Sequence, residues 1–89
     1  MRTEISDETA VTILSEAFLP LHCGAETFDY RFVRFRVFDE NDDGLIRMEK
    51  LTPTQYGSPQ ALQSIIEHAR SKLSHRGYTL HPWQMPDIN

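Results

Sequence analysis

The segment "YRFVRFRVF", residues 30–38, constrains the fold of this chain more than any other, because its residue character alternates with a period of two. Phenylalanine, valine and tyrosine favour strands, and this period sends successive side chains to opposite faces of a sheet. One face then carries Val33, Phe35 and Val37. The other face carries Phe32, Arg34, Arg36 and Phe38. The segment therefore predicts a strand with one buried face and one aromatic and basic face.

A second alternating segment, "LIRMEKL", residues 45–51, follows closely and is predicted to be the next strand. It places Ile46, Met48 and Lys50 on one side, and Leu45, Arg47, Glu49 and Leu51 on the other. Between the two segments lies "DENDDG", and Asp-Gly between alternating segments is a strong signal for a hairpin. We expect Gly44 to adopt the positive φ angle of the turn, and the two segments to pair as antiparallel strands.

The same turn also has features of a calcium loop, since "FDENDDGLIRMEK" carries acidic or amide groups at alternate positions before a glycine. An EF-hand loop counted from Asp39 needs a bidentate glutamate at its twelfth position, where this chain has Lys50. It also needs a preceding helix, where the alternation predicts a strand. We interpret the segment as a hairpin turn and expect no metal and no other cofactor.

Two helices are predicted, one on each side of the strands. Ser6 is a good N-cap, apolar residues follow it at helical spacing, and Pro20 disfavours a helical residue before it, so the first helix is expected over about residues 6–19. The last helix is expected to be capped by Ser58, with a proline at its first position, and to end at Gly77.

A short strand, "LHCGA", residues 21–25, is expected between the first helix and the hairpin, with Leu21 and Cys23 on one side. Gly24 and the following "ETFD" weaken its far end. Neighbouring strand residues point to opposite faces, so His22 is badly placed to act as a base for the thiol. We therefore interpret Cys23 as a buried apolar residue and not as a nucleophile.

The order α-β-β-β-α indicates an α+β fold in which two helices pack on one face of a three-stranded antiparallel sheet. A chain of 89 residues has room for one core. We expect a single domain over residues 1–78 and an irregular C-terminal tail over residues 79–89. The predicted core consists of Val11, Leu14, Phe18, Leu21, Val33, Phe35, Val37, Ile46, Met48, Leu62, Ile65, Ile66, Ala69 and Leu73.

Charge and spacing exclude several classes of function. The net charge of −4 argues against a general nucleic-acid binder, which needs surplus cations for phosphates. The element order is also that of double-stranded-RNA-binding domains, but the start of the last helix, "SPQALQSIIE", has no cation to meet a phosphate. No spacing typical of a catalytic triad, a carboxylate pair, a phosphate-binding glycine loop or a zinc site is present, so we expect no catalytic residue and no enzyme.

The N-terminal segment "MRTEISDETA" has acids where a signal peptide would carry its apolar core, and no apolar run reaches membrane-spanning length. We therefore expect a cytoplasmic protein with no membrane segment.

The uncovered sheet face is the candidate functional surface. Two helices cover only one face of the sheet, so Phe32 and Phe38 stay partly exposed beside charged groups, as is typical of interfaces. In the tail, Trp83 is of the residue type that most often anchors interfaces. The candidate residues are Phe32, Arg34, Arg36, Phe38, Arg47, Glu49 and Trp83.

Several interpretations of this face stay open. In one interpretation it is a solvated face on which Arg34 and Arg36 pair across strands with Glu49. In another it is an interface with an unknown protein or with a second copy of the chain. The tail also could fold back so that Trp83 covers the phenylalanines. We favour a non-enzymatic protein-interaction module that self-associates as a homodimer. The alternative is a nucleic-acid-binding or regulatory domain that uses Arg34, Arg36 and Arg47.

The segment "AFLPLHC", residues 17–23, gives the chain a resemblance to a family of short uncharacterised bacterial proteins. That family has a helix ending in Phe-Leu-Pro-Leu with a cysteine two residues later, a polar-tipped β-hairpin and a Ser-led helix. The matching residues are Phe18, Leu19, Pro20, Leu21 and Cys23, and later Ser58, Ala61, Ile65, Ile66, Glu67 and Arg70. The likeness covers about Val11 to Gly77 and departs at Ala25, where a second cysteine often stands. The resemblance implies the element order and no activity.

Overall fold

The computed structural model describes residues 4–86 as a helix, three strands and two further helices. The elements are α1 (Asp7–Glu16), β1 (His22–Phe28), β2 (Phe32–Phe38), β3 (Gly44–Leu51), α2 (Pro53–Gly57) and α3 (Pro59–His75). The strands form one open antiparallel sheet in the order β1-β2-β3. The predicted α+β fold is confirmed, with the short helix α2 as an addition. Among the described residues, no helix is long and apolar enough to cross a membrane.

The predicted N-caps of the first and last helices are confirmed. The Ser6 hydroxyl accepts the Thr9 N–H at 3.2 Å, and the Ser58 hydroxyl accepts the Ala61 N–H at 3.3 Å. Gly77 follows the last helix with a φ of 96°, the left-handed conformation that favours glycine at a helix end. The first helix is shorter than predicted, because it ends at Glu16.

Helix α2 follows directly on the last strand and was not predicted from the sequence. Its N-cap Thr52 forms a capping box with Gln55, in which the threonine hydroxyl accepts the Gln55 N–H and the glutamine side chain accepts the Thr52 N–H. The helix carries Tyr56 into the core. The Tyr56 hydroxyl donates to the Arg31 carbonyl at 2.6 Å, and burial, followed by the nearby Asp7 carboxylate, raises the pKa of the phenol.

The sheet register contains two irregularities that the alternating pattern does not reveal. Val33 pairs with Leu51 and Phe35 pairs with Met48, so that two residues of β3 lie opposite one residue of β2. Such a bulge reverses the alternation beyond it. Leu51, expected on the outer side, is therefore buried on the inner side. A second irregularity lies between Val37 and Phe38.

The core lies between the inner face of the sheet and the helices. The rings of Phe18 and Phe35 stack at its centre with their centroids 5.7 Å apart. The predicted core residues that are buried are Leu14, Phe18, Val33, Phe35, Val37, Leu62, Ile66, Ala69 and Leu73. Partly buried against them are Val11, Leu21, Ile46 and Ile65. Met48 is wrong as a core residue, since it is 36% exposed, and the predicted core lacks the buried Ile5, Ala10, Ile13, Ala17, Leu51 and Tyr56.

Strand β1 is longer than predicted, because pairing with β2 continues through the "ETF" segment to Phe28. Three residues then turn the chain with positive φ angles: Asp29, Tyr30 and Arg31. Tyr30 at this turn is 91% exposed.

The hairpin between β2 and β3 is confirmed, although Asp42, with a φ of 64°, and not Gly44 adopts the positive φ angle. The Asp39 carboxylate closes the turn, because its Oδ1 accepts the N–H groups of Asn41 at 2.8 Å and Asp43 at 3.0 Å. An aspartate side chain that accepts backbone N–H groups of its own turn stabilises that turn. Aspartate also tolerates the left-handed conformation, so glycine is not needed at position 42.

Candidate interaction surface

The sheet face turned away from the helices, here called the outer face, is built from all three strands. Its residues are His22, Gly24, Glu26 and Phe28 of β1, Phe32, Arg34, Arg36 and Phe38 of β2, and Arg47, Glu49 and Lys50 of β3. Four cations and two carboxylates leave a surplus of two positive charges on this face, although the whole chain has a net charge of −4. The outer face is therefore locally basic on an acidic protein.

One end of the outer face is an aromatic pair covered by cations of the same chain. Phe28 and Phe32 are register partners with ring centroids 6.0 Å apart. The Arg34 guanidinium lies 4.8 Å from the Phe28 centroid, and the Lys50 ammonium lies 4.2 Å from the Phe32 centroid. Such contacts stabilise by about 0.5–1 kcal/mol at exposed sites. The sequence interpretation missed Phe28 in this cluster, and it placed Lys50 on the inner side because it did not foresee the bulge.

The ion pairs of the outer face differ from those expected. Arg34 Nη2 lies 2.9 Å from the Glu26 carboxylate on β1, and Glu49 lies 3.3 Å from Arg47 Nε on its own strand. The interpretation in which Arg34 and Arg36 pair with Glu49 is therefore wrong, since Arg34 pairs with Glu26 and Glu49 pairs with Arg47. Within residues 4–86, Arg36 has no ion-pair partner.

The middle of the outer face places two arginines directly opposite each other. Arg36 on β2 is the register partner of Arg47 on β3. Like charges at facing positions of antiparallel strands destabilise a sheet. Both side chains are exposed, and Glu49 offsets only one of the two charges. The pair is thus a local concentration of positive charge of which Glu49 neutralises half.

Phe38, whose register partner on β1 is the exposed His22, lies beside two glycines at the other end of the outer face. Its register partner on β3 is Gly44, and its Cε2 lies 3.7 Å from the position that a Cβ of Gly24 would occupy. Aromatic rings that cover strand glycines stabilise sheets, which is one role for Phe38. The missing side chains also leave open depressions of about 390 Å³ beside Gly24 and about 320 Å³ beside Gly44, and Arg36 lines both.

The hairpin turn immediately beyond Phe38, here called the acidic tip, consists of residues 39–43. Its four carboxylates belong to Asp39, Glu40, Asp42 and Asp43. The Asp39 carboxylate is used within the turn, whereas Glu40 and Asp43 are exposed. Positive and negative charge therefore lie on opposite sides of Phe38 along the same hairpin.

Trp83 lies apart from the other candidate residues, on the helical side of the sheet. Leu80, Trp83 and Met85 are partly buried against the core. The His81 N–H donates to the Leu19 carbonyl at 2.8 Å, which ties the tail to the end of α1. Within the described part of the chain, the tail thus packs on the helical side, and the proposal that Trp83 covers Phe32 and Phe38 is wrong.

Arg70 of α3 fixes this arrangement of the tail. Its Nη1 donates to the Ala17 carbonyl and its Nη2 to the His81 carbonyl, both at 2.6 Å. Burial lowers the pKa of this guanidinium, and the nearby Glu67 carboxylate opposes the shift. A cation at the carbonyl end of a helix also interacts favourably with the helix dipole. One side chain thus joins the end of α1, helix α3 and the tail.

Cys23 faces inward opposite Val37 and is partly buried against the core. Burial raises the pKa of its thiol to about 12, so the protonated form dominates at neutral pH. This is the opposite of the depressed pKa that activates a nucleophilic cysteine. Within residues 4–86, no three histidine, cysteine, aspartate or glutamate side chains are grouped so that they could hold a metal ion.

Comparison with known proteins adds no relative to these observations. No family model, no curated protein and no solved structure matches the chain, so the resemblance to a family of short uncharacterised bacterial proteins stays a prediction.

Proposed function

We propose that this protein is a non-enzymatic protein-interaction module of the cytoplasm whose outer face binds another protein chain, in the first instance a second copy of itself. The observation that carries the proposal is the uncovered outer face. The helices and the described part of the tail pack on the inner side, so the aromatic and charged groups of the three strands remain accessible. Apolar groups surrounded by charge on an otherwise polar surface are typical of interfaces.

Binding of a partner also suits the size of this chain. A domain of fewer than 100 residues buries a smaller fraction of its surface than a larger one does, so its stability is small. A partner that binds only the folded chain adds to that stability, by an amount that grows with the logarithm of its concentration once that exceeds the dissociation constant. Phe32 and Phe38 are partly buried groups that a partner could cover further.

The test is the mass of the protein in solution, measured by light scattering from about 10 µM to about 1 mM, a range that spans weak association. We expect the mass to rise from 10.3 kDa toward twice that value with concentration. The double variant Phe32→Ser/Phe38→Ser should stay monomeric and folded. Tyr30→Ser is the matched control, because it removes an exposed aromatic ring at a turn outside the outer face, and it should self-associate like the wild type.

Nucleic-acid binding is the second candidate, and the cation–aromatic contacts of Arg34 with Phe28 and Lys50 with Phe32 favour it. Aromatic rings beside cations on an open sheet can stack bases and neutralise phosphates. The net charge of −4 and the two carboxylates on the same face oppose it. Fluorescence anisotropy with a labelled single-stranded oligothymidylate tests this candidate. Tight, salt-dependent binding by a monomeric protein, lost in Arg36→Gln/Arg47→Gln, would replace the interaction proposal with this one.

A further inference from the structure

We propose that two copies of this chain join through their outer faces around a two-fold axis at Phe38, so that the Arg36–Arg47 pair of each copy meets the acidic tip of the other. The inference rests on the proposed function and adds to it the partner and the geometry of the contact. Its basis is the distribution of charge along the hairpin, which has opposite signs on the two sides of Phe38.

Arg36 lies on β2 two residues before Phe38, and Glu40 lies two residues after Phe38, in the acidic tip beyond the end of the strand. A strand advances about 3.3 Å per residue, so Arg36 lies at a level about 7 Å from Phe38, and Glu40 lies at a level on the opposite side of Phe38, in the turn. The two-fold axis lies between the two outer faces, perpendicular to the strands and at the level of Phe38. It therefore exchanges the Arg36 level of one copy with the Glu40 level of the other. Arg36 of one copy then faces the level of Glu40 in the other copy, and the contact occurs twice.

Strand β3 repeats this pattern. Arg47 is the register partner of Arg36 and so lies on the same side of Phe38. Asp43 directly precedes Gly44, the register partner of Phe38, and so lies on the side of the acidic tip. The same axis therefore brings Arg47 of one copy to the acidic-tip side of the other copy, the side on which Asp43 lies. The opposite charges at the two levels make the surface self-complementary, which a two-fold contact requires.

A symmetric contact centred at the middle of β2, and not at Phe38, is disfavoured by charge repulsion. An axis through the middle of β2 would place Arg34 and Arg36 of one copy against the same arginines of the other, and like charges that face each other across an interface are costly. An axis at Phe38 avoids this repulsion. It also leaves the end with Phe28 and Phe32 outside the contact, and those two rings already have cation partners within their own chain.

The surroundings of Phe38 allow close approach of a second ring. Gly44 is its partner on β3 and Gly24 lies under its edge, so neither of these residues shields the ring, and the exposed His22 is its partner on β1. The open depressions of about 390 Å³ and about 320 Å³ on its two sides can receive side chains of the partner. Two phenylalanines near a two-fold axis can adopt the offset stacking that aromatic pairs prefer.

The contact is small, and the expected affinity follows from its size. Three strands spaced about 4.8 Å apart and an overlap of about 20 Å along them give a footprint of roughly 300 Å² on each copy. A stable interface of standard size buries about 800 Å² per partner. We therefore expect a weak dimer, best detected at high protein concentration and low salt, because exposed ion pairs are screened as salt rises.

The experiment reverses the charges of each cluster by substitution and measures self-association of the full chain by sedimentation equilibrium. Arg36→Glu/Arg47→Glu and Glu40→Lys/Asp43→Lys should each weaken self-association at least tenfold. An equimolar mixture of the two variants should form a heterodimer at least as tight as the wild-type dimer, because both clusters are complementary again. Asp39 and Asp42 are left unchanged, since one bonds the turn and the other adopts its positive φ angle.

The matched control is Arg34→Gln/Lys50→Gln, which removes two cations of the outer face outside the proposed contact and should change the dissociation constant less than threefold. Circular dichroism checks that each variant is folded. If a reversal variant unfolds, Arg36→Gln/Arg47→Gln replaces it, with at least threefold weaker association expected. Phe38→Ser should dissociate the dimer and Phe32→Ser should not.

A wild-type protein that stays monomeric up to about 1 mM would overturn both this geometry and self-association. A dimer that Phe32→Ser/Phe38→Ser dissociates, but that the mixture of charge variants does not restore, would overturn the axis at Phe38 alone. The proposed interaction module would then stand with a different contact.

Discussion

Replacing Arg70 by methionine is expected to destabilise the protein by about 1–4 kcal/mol, because one guanidinium joins α1, α3 and the tail. Methionine keeps much of the aliphatic stem and removes the charge and both donors. The Ala17 carbonyl belongs to a buried residue, and leaving it unbonded costs about 1–3 kcal/mol. The lost interaction with the end of α1 adds about 0.3–1 kcal/mol. The bond to His81 is exposed and adds little.

The assay is urea unfolding followed by far-ultraviolet circular dichroism, with the native fluorescence of Trp83 as a second signal. Trp83 is the single tryptophan of the chain, so a red shift in the native variant would report release of the tail. Arg34→Met is the control, because its ion pair with Glu26 is exposed and such pairs contribute about 0–1 kcal/mol. If the two variants unfold within about 0.5 kcal/mol of each other, the role assigned to Arg70 is refuted.

Three further predictions follow from the core, the turn and the bulge. A thiol reagent should label Cys23 slowly in the native protein and quickly in urea, and Cys23→Ser should cost about 1–2 kcal/mol; fast native labelling would contradict a buried thiol. Because the folded-state pKa of this thiol is raised to about 12, its contribution to stability is present below its ordinary pKa, near 9, and is lost as the pH rises toward 12. In Cys23→Ala, the melting temperature should therefore fall less between pH 9 and pH 12 than it does in the wild type. Asp39→Ala should lower the free energy of unfolding by about 0.5–2 kcal/mol through the lost turn bonds, while millimolar calcium leaves the melting temperature of the wild type unchanged; a shift of several degrees at micromolar calcium would contradict the hairpin interpretation. Leu51→Ala should cost about 2–5 kcal/mol in urea unfolding and Met48→Ala less than about 1 kcal/mol; the reverse order would mean that strand β3 has no bulge.

Local chemistry made most of the fold predictable. The N-caps at Ser6 and Ser58 depend only on a hydroxyl and the backbone two or three residues later, so the sequence identifies them directly. The period of two in β2 likewise predicts the buried face of the central strand. These signals act over a few residues, and no distant part of the chain overrides them.

Long-range pairing made the rest hard to predict. The bulge in β3 depends on how Leu51 and Met48 meet β2, and the alternation of β3 read alone gives the wrong side for Leu51 and Lys50. Helix α2 is too short for a periodic signal, although Thr52 with Gln55 is a capping-box pattern that could have been noticed. Its buried tyrosine was missed for the same reason.

The candidate surface was predictable on the strand that carries the strongest pattern and not elsewhere. The four outer residues of β2 follow from its alternation. The position of Trp83 depends instead on the bonds that Arg70 forms with two carbonyls far apart in sequence, and no local pattern encodes such a contact. Phe28 was missed because the strand signal of β1 weakens after Gly24, although pairing with β2 continues there.

The bulge between Met48 and Leu51 also determines where this sheet can tolerate a change in chain length. Glu49 and Lys50 lie between them, opposite Arg34. Deleting either one would leave a single residue of β3 opposite Arg34, and Leu51 would still face inward against Val33. A deletion at Arg47 would instead move Ile46 opposite Arg36 and turn its apolar side chain to the outer face. Homologous chains that lack one residue in this strand are therefore expected to lack it at positions 49–50 or at Leu45, the extra residue of the second irregularity, and a chain that lacks Lys50 also loses the ammonium group that covers Phe32.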